Sequence, residues 1–118
     1  MSRIYLGLVA AVAALAVAVA PAAAATPKLV GTVGPDFSIK LTKGGKKVNS
    51  LKAGKYAIVV HDKSNIHNFH LKGPGINKMT SVSFVGNKTW TVTLKKGTYK
   101  FVCDPHATTM KGSFKVTA

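Results

Sequence analysis

The chain has 118 residues and a formal charge of +14 at neutral pH, because 17 basic residues face only three acidic ones. It holds one cysteine, so no internal disulfide can stabilise it. Such a charge favours encounter with acidic surfaces, whether of a protein, an anionic membrane or a wall polymer. Nucleic-acid binding is disfavoured because all but one of the basic residues are lysines, which lack the planar guanidinium used in base and phosphate recognition.

The first 25 residues have the layout of a secretory signal peptide. Arg3 gives a short positive start, residues 4–20 form an uncharged apolar run, and residues 21–25 are small. We predict cleavage between Ala25 and Thr26 and export of the mature protein to the periplasm, the cell surface or the medium. The alternative is an uncleaved anchor helix at the N-terminus.

Residues 26–118 are few enough to form one domain. They read as short strands separated by turns, and no stretch of a dozen residues shows the 3.6-residue apolar period of an amphipathic helix. This pattern predicts an all-β domain, a sandwich or barrel of about eight antiparallel strands with Greek-key connections. The predicted strands are 28–33, 37–41, 56–61, 67–71, 81–85, 88–94, 98–103 and 113–117.

The only cysteine lies in the segment CDPHATTM, residues 103–110. One interpretation of Cys103 is a small buried apolar side chain at a strand end, but its neighbours favour a metal site. His106 follows a proline that turns the chain, and Met110 lies four residues farther on. With His67 upstream, these residues offer one thiolate, two imidazoles and one thioether, which is the ligand set of a blue-copper electron-transfer site.

The alternation of side chains along a strand distinguishes the upstream histidines. In the predicted strand 67–71, His67 shares a face with two apolar residues that suit a buried core. His70 is on the opposite face and is therefore expected at the surface, and we expect the same of His61 in the preceding strand. A partly buried structural role is the alternative for His67.

The motif Cys-x-x-His-x-x-x-Met lies between the strands TYKFVC and KGSFKV, and the segment SNIHNFHL lies upstream. Together these pieces resemble the cupredoxins, especially the plastocyanin, pseudoazurin and amicyanin group, over most of the chain after the leader. The resemblance implies a Greek-key β-sandwich with one type 1 copper near one end. It also implies that His67, Cys103 and His106 are equatorial ligands and that Met110 is axial. Three residues separate His106 from Met110 here, against four in plastocyanin and pseudoazurin and two in amicyanin.

Asn68 has a separate role by the same resemblance. In cupredoxins the asparagine after the first histidine ties the two ligand loops together by hydrogen bonds, and its backbone N–H points at the thiolate sulfur, which tunes the metal. The alternative is an ordinary turn-forming asparagine. We also expect a small apolar rim around His106 from Pro105, Ala107 and the segment 73–76.

The ligand set and the resemblance predict a secreted type 1 copper protein that carries single electrons between redox partners by Cu(I)/Cu(II) cycling. The alternative is an extracytoplasmic carrier or buffer that delivers or sequesters copper through the same ligands. We expect no enzymatic activity, because the sequence lacks the His-x-His pairs that a trinuclear copper oxidase needs.

The excess of lysines indicates what kind of partner the protein meets. Without the leader, sixteen lysines stand against three aspartates, a formal charge of +13. We expect a monomer that meets redox partner proteins with acidic surfaces, with peripheral contact to an anionic membrane or wall polymer as a further expectation. Lys72, Lys78 and Lys111 flank the two loops expected at the copper end. The alternative is that the lysines form a solvated face that only maintains solubility.

Overall fold

The computed structural model describes residue 7, residues 11–14 and residues 25–118. Most of the predicted leader therefore lies outside the described residues, and its cleavage stays a prediction. In the part of the chain that is described, no helix is long and apolar enough to cross a membrane.

Residues 25–118 form ten strands in two sheets, together with one short 3₁₀ helix, Asp104–His106. The strands are β1 (Lys28–Val33), β2 (Ile39–Lys43), β3 (Lys46–Lys47), β4 (Ser50–Lys52), β5 (Gly54–Asp62), β6 (His70–Gly73), β7 (Ile76–Met79), β8 (Gly86–Leu94), β9 (Gly97–Val102) and β10 (Lys111–Thr117). Sheet A has the order β3-β2-β1-β5-β8, and sheet B has the order β4-β10-β9-β6-β7. The two sheets form a β-sandwich, which confirms the predicted fold class.

The strand pairing is not purely antiparallel, and the expectation is wrong at two places. Strand β1 runs parallel to β5 in sheet A, and β4 runs parallel to β10 in sheet B. Parallel and antiparallel strands show the same two-residue alternation of side chains, so the sequence pattern alone does not distinguish them.

The core between the sheets follows the alternation of apolar residues. In β5, Tyr56, Ile58 and Val60 are buried, and the residues between them are partly exposed. The buried ring of Phe69, which precedes β6, stacks on that of Phe101 in β9 with the centroids 5.7 Å apart. Such an aromatic pair contributes about 0.5–1.5 kcal/mol beyond the area it buries.

The predicted strand 81–85 is wrong. This segment is a turn, in which the N–H of Phe84 donates to the carbonyl of Ser81 at 3.1 Å. Its β-branched residues suit a strand, but no neighbouring strand pairs with them. The edge strand of sheet B is instead β7, which the turn at residues 74–75 folds back onto β6.

The predicted strand 67–71 begins only at His70. Before it, the N–H of Phe69 donates to the Thr80 hydroxyl at 2.9 Å, while the Thr80 N–H donates to the Phe69 carbonyl at 3.0 Å. These bonds hold residues 67–69 to the segment that follows β7 and replace the ladder of a regular strand.

Four loops meet at one end of the sandwich. At this end β1 and β5 finish side by side, and β6 begins at His70, opposite Val102 at the end of β9. We call it the loop end, and its loops are residues 34–38, 63–69, 80–85 and 103–110.

The fit of Gly112 against Phe101 gives a test of the sheet B register. The two residues lie opposite each other, and a Cβ at position 112 would lie 2.2 Å from the Phe101 ring. Gly112→Ala should therefore lower the free energy of unfolding by about 1–3 kcal/mol through overpacking, as measured by denaturant titration. Ser113→Ala, at an exposed site on the same strand, is the control and should change stability by less than about 0.5 kcal/mol. Wild-type stability in the Gly112 variant would contradict the described packing.

Candidate metal centre

Three predicted ligand residues converge at the loop end. His67 Nδ1 lies 3.1 Å from His106 Nδ1, and Cys103 Sγ lies 3.6 Å from each of these nitrogens. A triangle with these sides has a circumscribed radius of about 2.0 Å, close to the metal–nitrogen and metal–sulfur bond lengths of about 2.0–2.3 Å. An ion at its centre would therefore reach all three atoms, and we call this arrangement the ligand triangle.

The surroundings of His67 favour a ligand over a structural histidine. The residue is fully buried, and its Nδ1 faces the other two atoms of the triangle. Its Nε2 is buried without a hydrogen-bond partner among the described residues. A metal-binding histidine normally also donates its other ring N–H, so the position of Nδ1 in the triangle, and not the unpaired Nε2, is what favours a ligand role.

The loop between β9 and β10 is closed by its own backbone. The His106 N–H donates to the Cys103 carbonyl at 3.0 Å, and the Met110 N–H donates to the His106 carbonyl at 2.8 Å. The Cys103 N–H in turn donates to the Met110 carbonyl at 3.0 Å. These bonds hold the thiol, the imidazole and the buried thioether of Met110 in one compact turn, which we call the ligand loop (residues 103–110).

Asn68 joins the two ligand-bearing segments. Its Oδ1 accepts from the Asp104 N–H at 2.7 Å, and its Nδ2 donates to Asp104 Oδ2 at 2.7 Å and to the Thr80 carbonyl at 3.2 Å. In the described part of the chain, the polar contacts of Cys103 Sγ are with the two imidazoles. The bond to sulfur that the resemblance implies for the Asn68 backbone therefore stays a prediction.

The expectation of a surface position for His70 is wrong. The residue is only 5% exposed, and its ring lies between Asp104 and Asn77. Strand alternation does place it on the outer side of sheet B, but the ligand loop covers the start of β6 and buries that side. His61, by contrast, is half-buried and makes one side-chain hydrogen bond, to the exposed Asn87.

Sequence reasoning missed Phe37. Its ring centroid lies 5.0 Å from that of His67 and 5.0 Å from that of His106, both in edge-to-face geometry, although the side chain is 63% exposed. The expected rim segment 73–76 lies at the far end of β6 instead. A large aromatic residue within the polar turn GPDFS was the available signal.

The pKa values of two carboxyl groups near the ligand triangle are shifted in opposite directions. Burial raises the pKa of Asp62, and the hydrogen bonds from the Ser64 N–H and the Thr80 hydroxyl, together with nearby His67, offset this only in part. Burial also acts to raise the pKa of Asp104, but the hydrogen bonds from Asn68 and His70 and the charges of His70 and Lys72 outweigh it. The pKa of Asp104 is therefore lowered.

The lowered pKa of Asp104 predicts a pH-dependent contribution to stability. A carboxylate with a depressed folded-state pKa stabilises the fold above its unfolded pKa, and this contribution is lost as the pH falls through the folded value. Metal-free Asp104→Asn should thus be less stable than wild type at neutral pH, and the difference should vanish in acid, below the folded-state pKa of Asp104. Denaturant unfolding at both pH values measures it, with the exposed Asp36→Asn as control. A deficit that persists at low pH would contradict the electrostatic origin.

Comparison with known proteins agrees with this geometry. A profile of copper-binding proteins of the plastocyanin/azurin family matches residues 38–117. A comparison with curated protein sequences gives no match.

Solved structures of the copper protein rusticyanin share the fold. One superposes with a TM-score of 0.60 at 23% identity over 80% of each chain. A methionine-to-glutamine variant gives 0.59 at 25% identity over 80% of each chain. Rusticyanin from Thiobacillus ferrooxidans gives 0.51 at 24% identity over 80% of this chain and 79% of that one.

The family profile covers most of the sandwich and all of the ligand loop, and the donor atoms of the triangle are those that copper prefers. The chain belongs to the copper-binding plastocyanin/azurin family, the cupredoxins, and its cofactor is one type 1 copper ion.

Proposed function

We propose that the protein is an exported electron carrier, residues 26–118 after removal of its leader, whose copper is held by His67, Cys103 and His106 with Met110 as axial ligand. The ligand triangle is the observation that carries the proposal. Its three donor atoms lie close enough together for one metal ion to bond all of them. When bound, copper supplies a one-electron couple, in which sulfur ligands favour Cu(I) and imidazoles also suit Cu(II).

The protein's part is to keep the donor atoms in place during electron transfer. The ligand loop is fixed at both ends by paired strands, since Lys111 of β10 lies opposite Val102 of β9. Cys103 and Met110 are buried within this frame. A site that moves little between oxidation states has a small reorganisation cost, so this geometry supports fast transfer.

Electrons would enter and leave through the exposed side of His106. Among residues 25–118, the exposed large apolar side chains all lie at the loop end, in or beside the four loops. An apolar surface concentrated at one end of a domain suits protein docking. The residues concerned are Phe37, Ile66, Met79, Val82 and Val85.

The lysines support an acidic redox partner. In the described part of the chain, the only salt bridge joins His70 to Asp104, so no lysine is paired with an acid. Lys72 and Lys100 lie directly opposite each other across β6 and β9, an arrangement that costs stability unless an anion is near. Both line a shallow depression that reaches Ala107 of the ligand loop. A monomer would dock its acidic partner there, and an anionic membrane or wall polymer would meet the same lysines.

The alternative of a copper carrier or buffer is less well supported. Cys103 and Met110 are buried, and His106 is the half-buried member of the triangle. An incoming ligand could therefore approach the metal only from the His106 side. Such a site suits retention of copper rather than its transfer.

Copper binding is tested by colour. The protein loaded with Cu(II) should be intensely blue, because a thiolate-to-copper transition absorbs in the visible range. Cys103→Ser should abolish this band while leaving the circular dichroism of the metal-free protein unchanged. A colourless wild-type Cu(II) form, or colour retained by the variant, would rule out the type 1 assignment.

The role of the lysines is tested by the salt dependence of electron transfer. The stopped-flow rate with an acidic acceptor should fall steeply as salt rises, because such steering is screened over about 8–10 Å. Changing Lys72, Lys100 and Lys111 to Gln should lower the rate and flatten this dependence. The same change at Lys43, Lys46 and Lys47, at the opposite end of β2 from the loop end, removes equal charge and is the control. Equal rates for both sets would assign the charge to solubility or surface retention.

A further inference from the structure

One buried histidine takes no part in the ligand triangle. The Nδ1 atom of His70 lies 2.8 Å and 3.0 Å from the two carboxylate oxygens of Asp104, and its Nε2 lies 2.6 Å from Asn77 Oδ1. Both ring nitrogens thus face oxygen acceptors. A carboxylate oxygen only accepts hydrogen bonds, so Nδ1 of His70 is the donor to Asp104.

The two partners of His70 belong to different parts of the fold. Asp104 follows Cys103 directly and begins the short helix that carries His106. Asn77 lies on β7, in the hairpin that β7 forms with β6. The ring of His70 therefore links the ligand loop to this hairpin.

The link through His70 affects the position of the ligand loop, whereas the bonds inside the loop affect its shape. The backbone bonds among Cys103, His106 and Met110 fix the shape of the loop, but they do not fix its position relative to His67. Apart from the contacts of His67 within the ligand triangle, the side-chain hydrogen bonds from residues 63–70 to the loop converge on Asp104, from Asn68 on one side and His70 on the other. The position of the thiol and the His106 imidazole against His67 thus depends on this junction.

The junction also affects the charge beside the thiolate. Asp104 is adjacent to Cys103 in the chain, and its charged neighbours are His70 and Lys72 on β6. A carboxylate without compensation near a redox ion stabilises the more positive oxidation state. The hydrogen bond from His70 Nδ1 to the carboxylate offsets part of that influence.

We propose that His70 is a positioning residue of the copper centre. Held between Asp104 and Asn77, it fixes the ligand loop against the β6–β7 hairpin and donates a hydrogen bond to the carboxylate next to the thiolate. The inference rests on the proposed function, since it assigns His70 a role towards the same copper.

The first test compares His70→Gln with His61→Gln. The control also removes a histidine that hydrogen-bonds an asparagine at 2.6 Å, but in sheet A. Release of copper to a chelator should be about tenfold faster in His70→Gln and unchanged in the control, as expected when a residue that orients a ligand is lost. In the metal-free protein, the amide NMR signals of residues 104 and 106–110 should broaden in His70→Gln only.

The second test uses the sign of the change in reduction potential. His70→Gln removes the imidazole donor from the carboxylate and should lower the potential, whereas Asp104→Asn removes the negative charge and should raise it. The double variant should return towards wild type. A role limited to holding the loop would move both single variants in the same direction, which would overturn the charge-compensating part.

If His70→Gln folds poorly because His70 is buried, Asn77→Ala provides a second test of the same link. Asn77 is exposed on an edge strand, and its loss removes one contact of the His70 ring without opening the core. It should speed copper release in the same direction by a smaller factor. Release and NMR spectra equal to those of His61→Gln in both His70→Gln and Asn77→Ala would overturn the proposal. If wild type fails to form a blue site, the proposed function fails, and the NMR comparison still decides whether His70 holds the loop.

Discussion

The register between β6 and β9 is the constraint on which the site depends. His70 lies opposite Val102, and this places the segment that ends with His67 and Asn68 beside Cys103, the residue that follows β9. A slip of one residue would move the thiol by about 3.3 Å and turn alternate side chains to the wrong face. The stacking of Phe69 on Phe101 stabilises this register, because both rings are buried in the core and a slip would separate them.

The polar side chains whose burial costs stability are concentrated at the loop end. Apart from the hydroxyl groups of Tyr56 and Tyr99, the buried polar side chains of the described residues lie at the loop end. Burying polar groups costs stability unless they are hydrogen-bonded, and most of these bond one another across loops that are far apart in sequence. The ligand triangle is therefore surrounded by a hydrogen-bonded layer of polar side chains, and this layer packs on the apolar core. These residues are Asp62, His67, Asn68, His70 and Thr80.

Much of this was predictable from the sequence, and the failures share a physical cause. The spacing of Cys103 and His106 predicts a loop in which both side chains converge, and the alternation in β5 and β9 predicts the sandwich. Alternation fails at His70 because it describes one sheet and not the loop that covers it. It fails to reveal the contacts of Phe37 for a similar reason, since a loop residue reaches the triangle only through tertiary packing. Such coverage is decided by the topology of the two sheets, which the residue pattern does not determine.

Preorganisation of the donor atoms is the central claim, and crystal structures of the metal-free and copper-loaded protein test it most directly. We predict that the Nδ1 atoms of His67 and His106 stay 3.1 Å apart in both forms, and that each stays 3.6 Å from Cys103 Sγ. A metal-free form in which the ligand loop withdraws and the three atoms separate would show that copper assembles the site, and would contradict a frame built in advance by the sandwich.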